Sequence, residues 1–400
     1  MHPVKSHRPM QTTRAWTAVR RASGPTADQL HLLCRPTDDG ADVARQAEAV
    51  YEALRDALAA ANVSPETLVA ETIFFKRIRD DLGTVRAVRS RVLGDAGRPA
   101  TTCIGQPPLS GAHLELSALA VVPRPGASWS ADDVTRPATC TCEACAPGLR
   151  ARVVRVGEQT SLRAGNVYGA GRDPVEAAYD MFRAAEGLLA EAGMAFGDVL
   201  RTWIHVRDID RDYAALNEAR RRFFRDRGIE RRPASTGVQG IPFPAAHDFS
   251  MSLYALEASR PLDVAVMSTP SLNEAWSYGA EFSRGLRLGS PAGATLFVSG
   301  TASIDEAGHT VHTGDFEAQV DRMLHNIATL LARQGAGFRH LVSGVTYLKH
   351  PGDAPALRAM LRKRGFDGFP LALVEAPLCR PELLCETEAV ASIPLATARA

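Results

Sequence analysis

No apolar run in the sequence approaches the roughly 20 residues that cross a bilayer. The N-terminal stretch MHPVKSHRPMQTTRAW also lacks the hydrophobic segment of a secretory signal. The expectation is a cytoplasmic protein with a flexible tail over residues 1–29 and no membrane partner. An excess of charge of either sign is missing too: 46 Lys and Arg stand against 45 Asp and Glu. The overall balance therefore gives no argument for nucleic acid as a partner. The seven cysteines are an odd number, and several fall inside predicted strands, so they read as reduced thiols rather than a disulfide framework. The glycines of AGNVYGAG (residues 164–171) lack the GxGxxG order and the βαβ context, which excludes a dinucleotide site.

What is present is a chain of 400 residues, 45% hydrophobic, long enough to bury two or three cores. The strongest pattern lies in the last hundred residues. An apolar strand (LFVSGTASI, residues 296–304) leads into a helical run over residues 318–334. There Val320, Met323, Leu324, Ile327, Leu330 and Leu331 recur at the spacing of one buried face. Gly335 and Gly337 end that helix. A strand (341–348), a short helix (354–364), a Pro370-led strand and a final strand LLCETEAVAS follow, the last placing Glu386 and Glu388 on one face.

The same succession occurs at residues 49–122 and again at 177–258. Lining up the strands puts Ala70, Arg201 and Ser343 at one position and Glu115, Ser252 and Glu386 at another. The chain therefore reads as three copies of one unit, at a period far above that of solenoid repeats. The expected division is a first unit over 30–125, a Pro/Gly/Ser-rich linker over 126–150 and a second unit over 151–260. A bridge over 261–290 and a third unit over 291–400 complete it. Glu115 reads as a carboxylate on the solvated side of its sheet, with no cationic partner near it in sequence, although a site residue fits the same position. The basic run ARRRFFRDRGIERR (219–232) reads as a solvated helix face with Phe223 and Phe224 turned inward, able to steer anions toward a nearby cleft.

Within the linker, Cys140, Cys142 and Cys145 form CxCxxC. Three soft thiolates so close together can hold zinc or copper, with a fourth ligand from elsewhere; a loop with incidental thiols or a redox pair fits the same spacing.

The repeated helix, polar turn and final ExEA strand resemble the RidA/YjgF superfamily. RTWIHVRDID (201–210), RPASTGVQG (232–240) and NEAWSYGAEFSRG (273–285) resemble more specifically the chorismatases, together with LFVSGTASIDEAGHTVHTGDFEAQ (296–319) and CRPELLCETEA (379–389). The fold implied is α+β: three RidA/YjgF-like (chorismate-mutase-like) units, each a mixed sheet with helices on one face, forming an intrachain pseudo-trimer. The chain would be a monomeric pseudo-trimer or a homo-oligomer acting on a small acidic substrate.

The function implied is cleavage of the enol ether of chorismate, or of a related acid, to pyruvate and a hydroxybenzoate-type acid, with no cofactor required. Glu386 would be the proton donor, which demands a carboxyl kept protonated near neutrality by an apolar setting. Arg201 and Arg380 would hold the substrate carboxylates, and Tyr278 and Ser303 would orient it. Gly300 and Cys379 match the subtype that makes 3-hydroxybenzoate. In residues 260–290 Tyr278, Gly279, Phe282, Ser283 and Arg284 match the family's pattern, but the preceding arginine and one aromatic are missing; that and the cysteine cluster are departures from the family. Two other readings stay open: an imine/enamine deaminase of the RidA type, and a metal-dependent enzyme or non-catalytic binding module defined by the cysteine loop.

Overall fold

The structure, a computed structural model, describes residues 10–11, 14–94, 98–138, 140 and 148–394, with the side chains of residues 10, 11, 277 and 278 left aside. Its first sheet holds β1 (Met10–Gln11), β2 (Ala15–Ala22), β3 (Ala27–Pro36), β4 (Leu68–Phe75), β5 (Ala100–Gly105) and β6 (Leu114–Pro123). Helices α1 (Val43–Ala60) and α2 (Ile78–Leu93) pack on it. The second sheet holds β7 (Trp129–Arg136), β8 (Leu149–Val156), β9 (Gln159–Val167), β10 (Val199–Val206), β11 (Ala234–Gln239) and β12 (Phe249–Ala258), covered by α3 (Pro174–Glu191) and α4 (Ile209–Asp226). The third holds β13 (Asp263–Val266), β14 (Gly285–Ser290), β15 (Gly293–Ala302), β16 (Leu341–Leu348), β17 (Leu371–Glu375) and β18 (Cys385–Pro394), covered by α5 (Phe316–Ala332) and α6 (Ala354–Lys363).

Strand order is the same in all three: β1-β2-β3-β6-β4-β5, β7-β8-β9-β12-β10-β11 and β13-β14-β15-β18-β16-β17. The likeness extends to irregularities. A bulge interrupts the pairing at Leu68/Ala70, at Val199/Arg201 and at Leu341/Ser343, the same step of each unit. Local chemistry repeats as well. Asp42, Asp173, Asp208 and Asp315 each cap a helix by accepting a backbone N–H from three residues on. The six apolar residues expected on one face of α5 are all buried, each contributing roughly 1.5–3 kcal/mol.

Each sheet turns its helix-free face to the other two. Residues from all three units share one apolar cluster, including Leu33, Phe74, Val238, Ala302 and Tyr347. Polar contacts join every pair of units. Cys103 N–H donates to Asn166 Oδ1 at 2.6 Å between the first and second. Leu109 N–H donates to the Leu373 carbonyl at 2.9 Å between the first and third, and Ser235 N–H to Ser299 Oγ at 2.9 Å between the second and third. The pseudo-trimer is thus closed within one chain.

Three expectations are corrected. Residues 15–22, expected in a flexible tail, form β2, with Ala15, Thr17, Ala18, Val19 and Ala22 buried. The linker and the bridge likewise supply β7 and the pair β13–β14 as the opening strands of the second and third sheets. The residue equivalent to Glu115 and Glu386 is Ser250, not Ser252. These three are the second residues of β6, β18 and β12, opposite Phe74, Tyr347 and His205. A shift of the closing strand by two residues keeps every side chain on its proper face and so leaves no trace in the hydrophobic pattern. Among the described residues no helix is long and apolar enough to cross a membrane.

Candidate active site

Between the second and third units lies a cleft of about 850 Å³. One wall is α4 with β11; the other is β15, residues 279–284 and the loop 379–386. Its floor is set by Glu386, the second residue of β18, only 5% exposed. Burial pushes its carboxyl up to about 8. The negative Glu388 adds to the shift, while Arg284, Arg201 and Arg380 oppose it. The burial effect wins, so the group is a carboxylic acid at neutral pH. Gly300 makes the position possible, since a Cβ at residue 300 would come within 2.0 Å of Glu386 Oε1.

Around this acid the cleft gathers arginines. Arg284, 4% exposed, donates through Nε to the Asn273 carbonyl at 2.9 Å. Arg220, 3% exposed, donates to Asn217 Oδ1 at 2.7 Å. Both lie near the Phe282 ring, their guanidinium carbons 5.8 and 5.6 Å from its centroid. Arg380 donates to the Gly308 carbonyl at 2.7 Å. Arg221, Arg222 and Arg225 stand farther along α4 on the same wall. A neutral acid beneath several fixed guanidinium groups suits a ligand that carries carboxylates and needs a proton.

Of the residues expected in the site, Glu386, Arg380, Gly300 and Cys379 do line the cleft. Burial raises the Cys379 thiol to about 12, so it stays protonated and serves as cleft wall rather than thiolate. Arg201 is placed elsewhere. Its Nη2 donates to Glu388 Oε2 at 2.5 Å and to Thr236 Oγ1, and Trp203 Nε1 donates to the other Glu388 oxygen at 2.7 Å. This network lines a small interior cavity of about 150 Å³ where the three units meet. Arg201 reaches the cleft only indirectly, because the same Thr236 Oγ1 accepts the Gly300 N–H at 3.0 Å. Ser303 is also withdrawn, donating to the Val311 carbonyl at 2.9 Å to fix the turn that follows. Tyr278 belongs to the short helix before Gly279, and its side chain lies outside the described residues.

Arg220 and Arg284 were not expected in the site, although Arg284 lies in the stretch that matches the family's pattern. Arg220 was hidden in a basic run taken for a solvated face; the signal available was its spacing, since Leu216, Arg220 and Phe223 recur on the buried side of α4. Of the cysteine cluster, Cys142 and Cys145 lie outside the described residues, and Cys140 packs against the second unit's core.

The endoribonuclease L-PSP family model matches residues 34–122 and 274–393, the first and third units. It leaves out the second, whose sheet has the same strand order. A 3-hydroxybenzoate synthase of Streptomyces hygroscopicus is 30% identical over 254 residues, covering 55% of this chain and 72% of that protein. A chorismatase of Streptomyces rapamycinicus is 30% identical over 226 residues, 49% of this chain and 65% of that one. A chorismatase crystal structure matches in fold across 82% of this chain and 93% of its own, with a TM-score of 0.59 at 17% identity. The chain belongs to the endoribonuclease L-PSP (RidA/YjgF) family, on its chorismatase side.

Proposed function

We propose that the cleft between the second and third units converts chorismate, or a closely related acidic enol ether, into pyruvate and a hydroxybenzoate-type acid. The observation that carries this reading is the neutral, buried carboxyl of Glu386 among arginines. An enol ether becomes labile when its terminal vinyl carbon takes a proton. The cation so formed becomes the keto acid by keeping the ether oxygen as its carbonyl, while the bond between that oxygen and the ring carbon is cleaved and the positive charge passes to the ring. Glu386 supplies that proton, and its carboxylate, once formed, is stabilised by Arg284, Arg201 and Arg380. Arg220 and Arg284 receive the substrate carboxylates, with Phe282 beside both as an apolar wall. Loss of a proton from the ring returns the acid to Glu386, and formation of a hydroxybenzoate and pyruvate balances without an external oxidant or metal.

An imine deaminase of the RidA type finds less support. The arginine that would follow the Pro-led strand is replaced by Leu371, Ala372 and Leu373, the beginning of β17. The deciding experiment is incubation with chorismate, following pyruvate and aromatic acid together. Equimolar release supports the reading, and absence of turnover by the folded protein rejects it.

A further inference from the structure

Glu115 stands in the first unit where Glu386 stands in the third. It is 1% exposed and belongs to β6 opposite Phe74, as Glu386 belongs to β18 opposite Tyr347. Contrary to the sequence expectation of a solvated carboxylate, it is closed in, and its Oε1 is buried with no hydrogen-bond partner among the described residues. Two cations act on it, one from each side of the boundary between the first and third units. Arg35 lies beside it on β3, and Arg358 comes from α6. Arg358 crosses the boundary, donating through Nη2 to the Leu109 carbonyl at 2.6 Å. Arg35 lies over the Trp16 ring at 3.8 Å. Trp16, Arg35 and Arg358 are each half-buried, so the cations are reached from solvent and the acid lies deeper.

A buried carboxyl with an unpartnered oxygen is costly, and the arrangement does nothing to offset that by direct pairing: no ion pair between Glu115 and either arginine forms within 4.0 Å. At the third equivalent position the residue is Ser250, so the acid has been kept in two of the three units. We propose that the boundary between the first and third units holds a second ligand site, which binds a small aromatic carboxylate through Arg35 and Arg358, with Glu115 hydrogen-bonding its polar substituent and Trp16 alongside. Burial holds the Glu115 carboxyl up at about 7, so near neutrality it can donate as well as accept. The site stands independently of the reaction assigned to the Glu386 cleft, because its evidence is the geometry around Glu115 alone.

The test is calorimetric titration of the full chain with 3-hydroxybenzoate. Two molecules should bind per chain. The Arg35→Ala/Arg358→Ala double variant should bind one and keep its turnover in the Glu386 cleft, whereas Arg284→Ala should weaken the other molecule and leave this one. Should the double variant lose its folded circular dichroism, Glu115→Leu replaces it with the same expectation. A wild-type stoichiometry of one that vanishes in Arg284→Ala, or two sites that survive removal of both Arg35 and Arg358, would overturn the proposal. Failure of chorismate turnover would not affect it.

Discussion

Gly300 and Glu386 are bound by a steric condition: the acid's Oε1 occupies the place where any Cβ at residue 300 would project, 2.0 Å away. Thr236, whose hydroxyl accepts the Gly300 N–H, closes the other side, its methyl 3.1 Å from the same point. Gly300→Ala should therefore swing the carboxyl aside and lower kcat at least tenfold, while the melting temperature changes little because the displaced group is a side-chain end. A variant as active as wild type would show that the acid need not sit where it does.

Glu386→Gln removes the proton and keeps the shape. Turnover should drop on the order of a hundredfold or more. In the wild type, the reactive form is the protonated one. Since burial holds this carboxyl up at about 8, kcat/KM should be level near neutrality and fall as pH rises through about 8. A rate that climbs across that range would assign Glu386 the role of a base instead.

Glu388 adds negative charge beside Glu386 and thereby raises its affinity for a proton. Replacing it with Gln takes that charge away and leaves Arg201 positive and unpaired, and both changes favour the ionised form of Glu386. The alkaline fall in kcat/KM should move to lower pH. Stability should drop as well, by roughly 3–5 kcal/mol, because one partner of a buried ion pair is lost. An unmoved pH profile would uncouple the two carboxylates.

Arg284 and Arg220 are assigned to the substrate carboxylates. Truncating either to Ala removes charge-assisted hydrogen bonds worth about 1.5–3 kcal/mol each, which corresponds to a loss of roughly ten- to a hundredfold in kcat/KM. Arg201→Ala should appear first as a fall in thermal stability, since its Nη2 is held in the interior by Glu388 and Thr236. Steady-state kinetics and thermal melts on the same samples separate the two behaviours.

Much was legible in the sequence because it depends on neighbours along the chain. The strand–helix succession, the buried face of α5, the bounds of β16 and the pairing of Glu386 with Glu388 on one face of β18 all follow from periodicity and turn chemistry. So does the threefold repetition, since each unit carries the same local signals. What periodicity could not give is which partner a charged side chain meets across a unit boundary. Neither Arg201, on a strand, nor Arg220, inside a basic helical run, carries a signal in sequence that says which partner it meets. The packing of three sheets sends one to Glu388 in the interior and the other into the cleft. Register was beyond the sequence for a related reason: a shift of two residues preserves the alternation of faces, so only the strand pairing distinguished Ser250 from Ser252. The proton affinity of Glu386 was likewise largely a tertiary outcome, because it is set first by how far the surrounding units exclude water, and two of the charges that oppose the shift, Arg284 and Arg201, come from more than a hundred residues away.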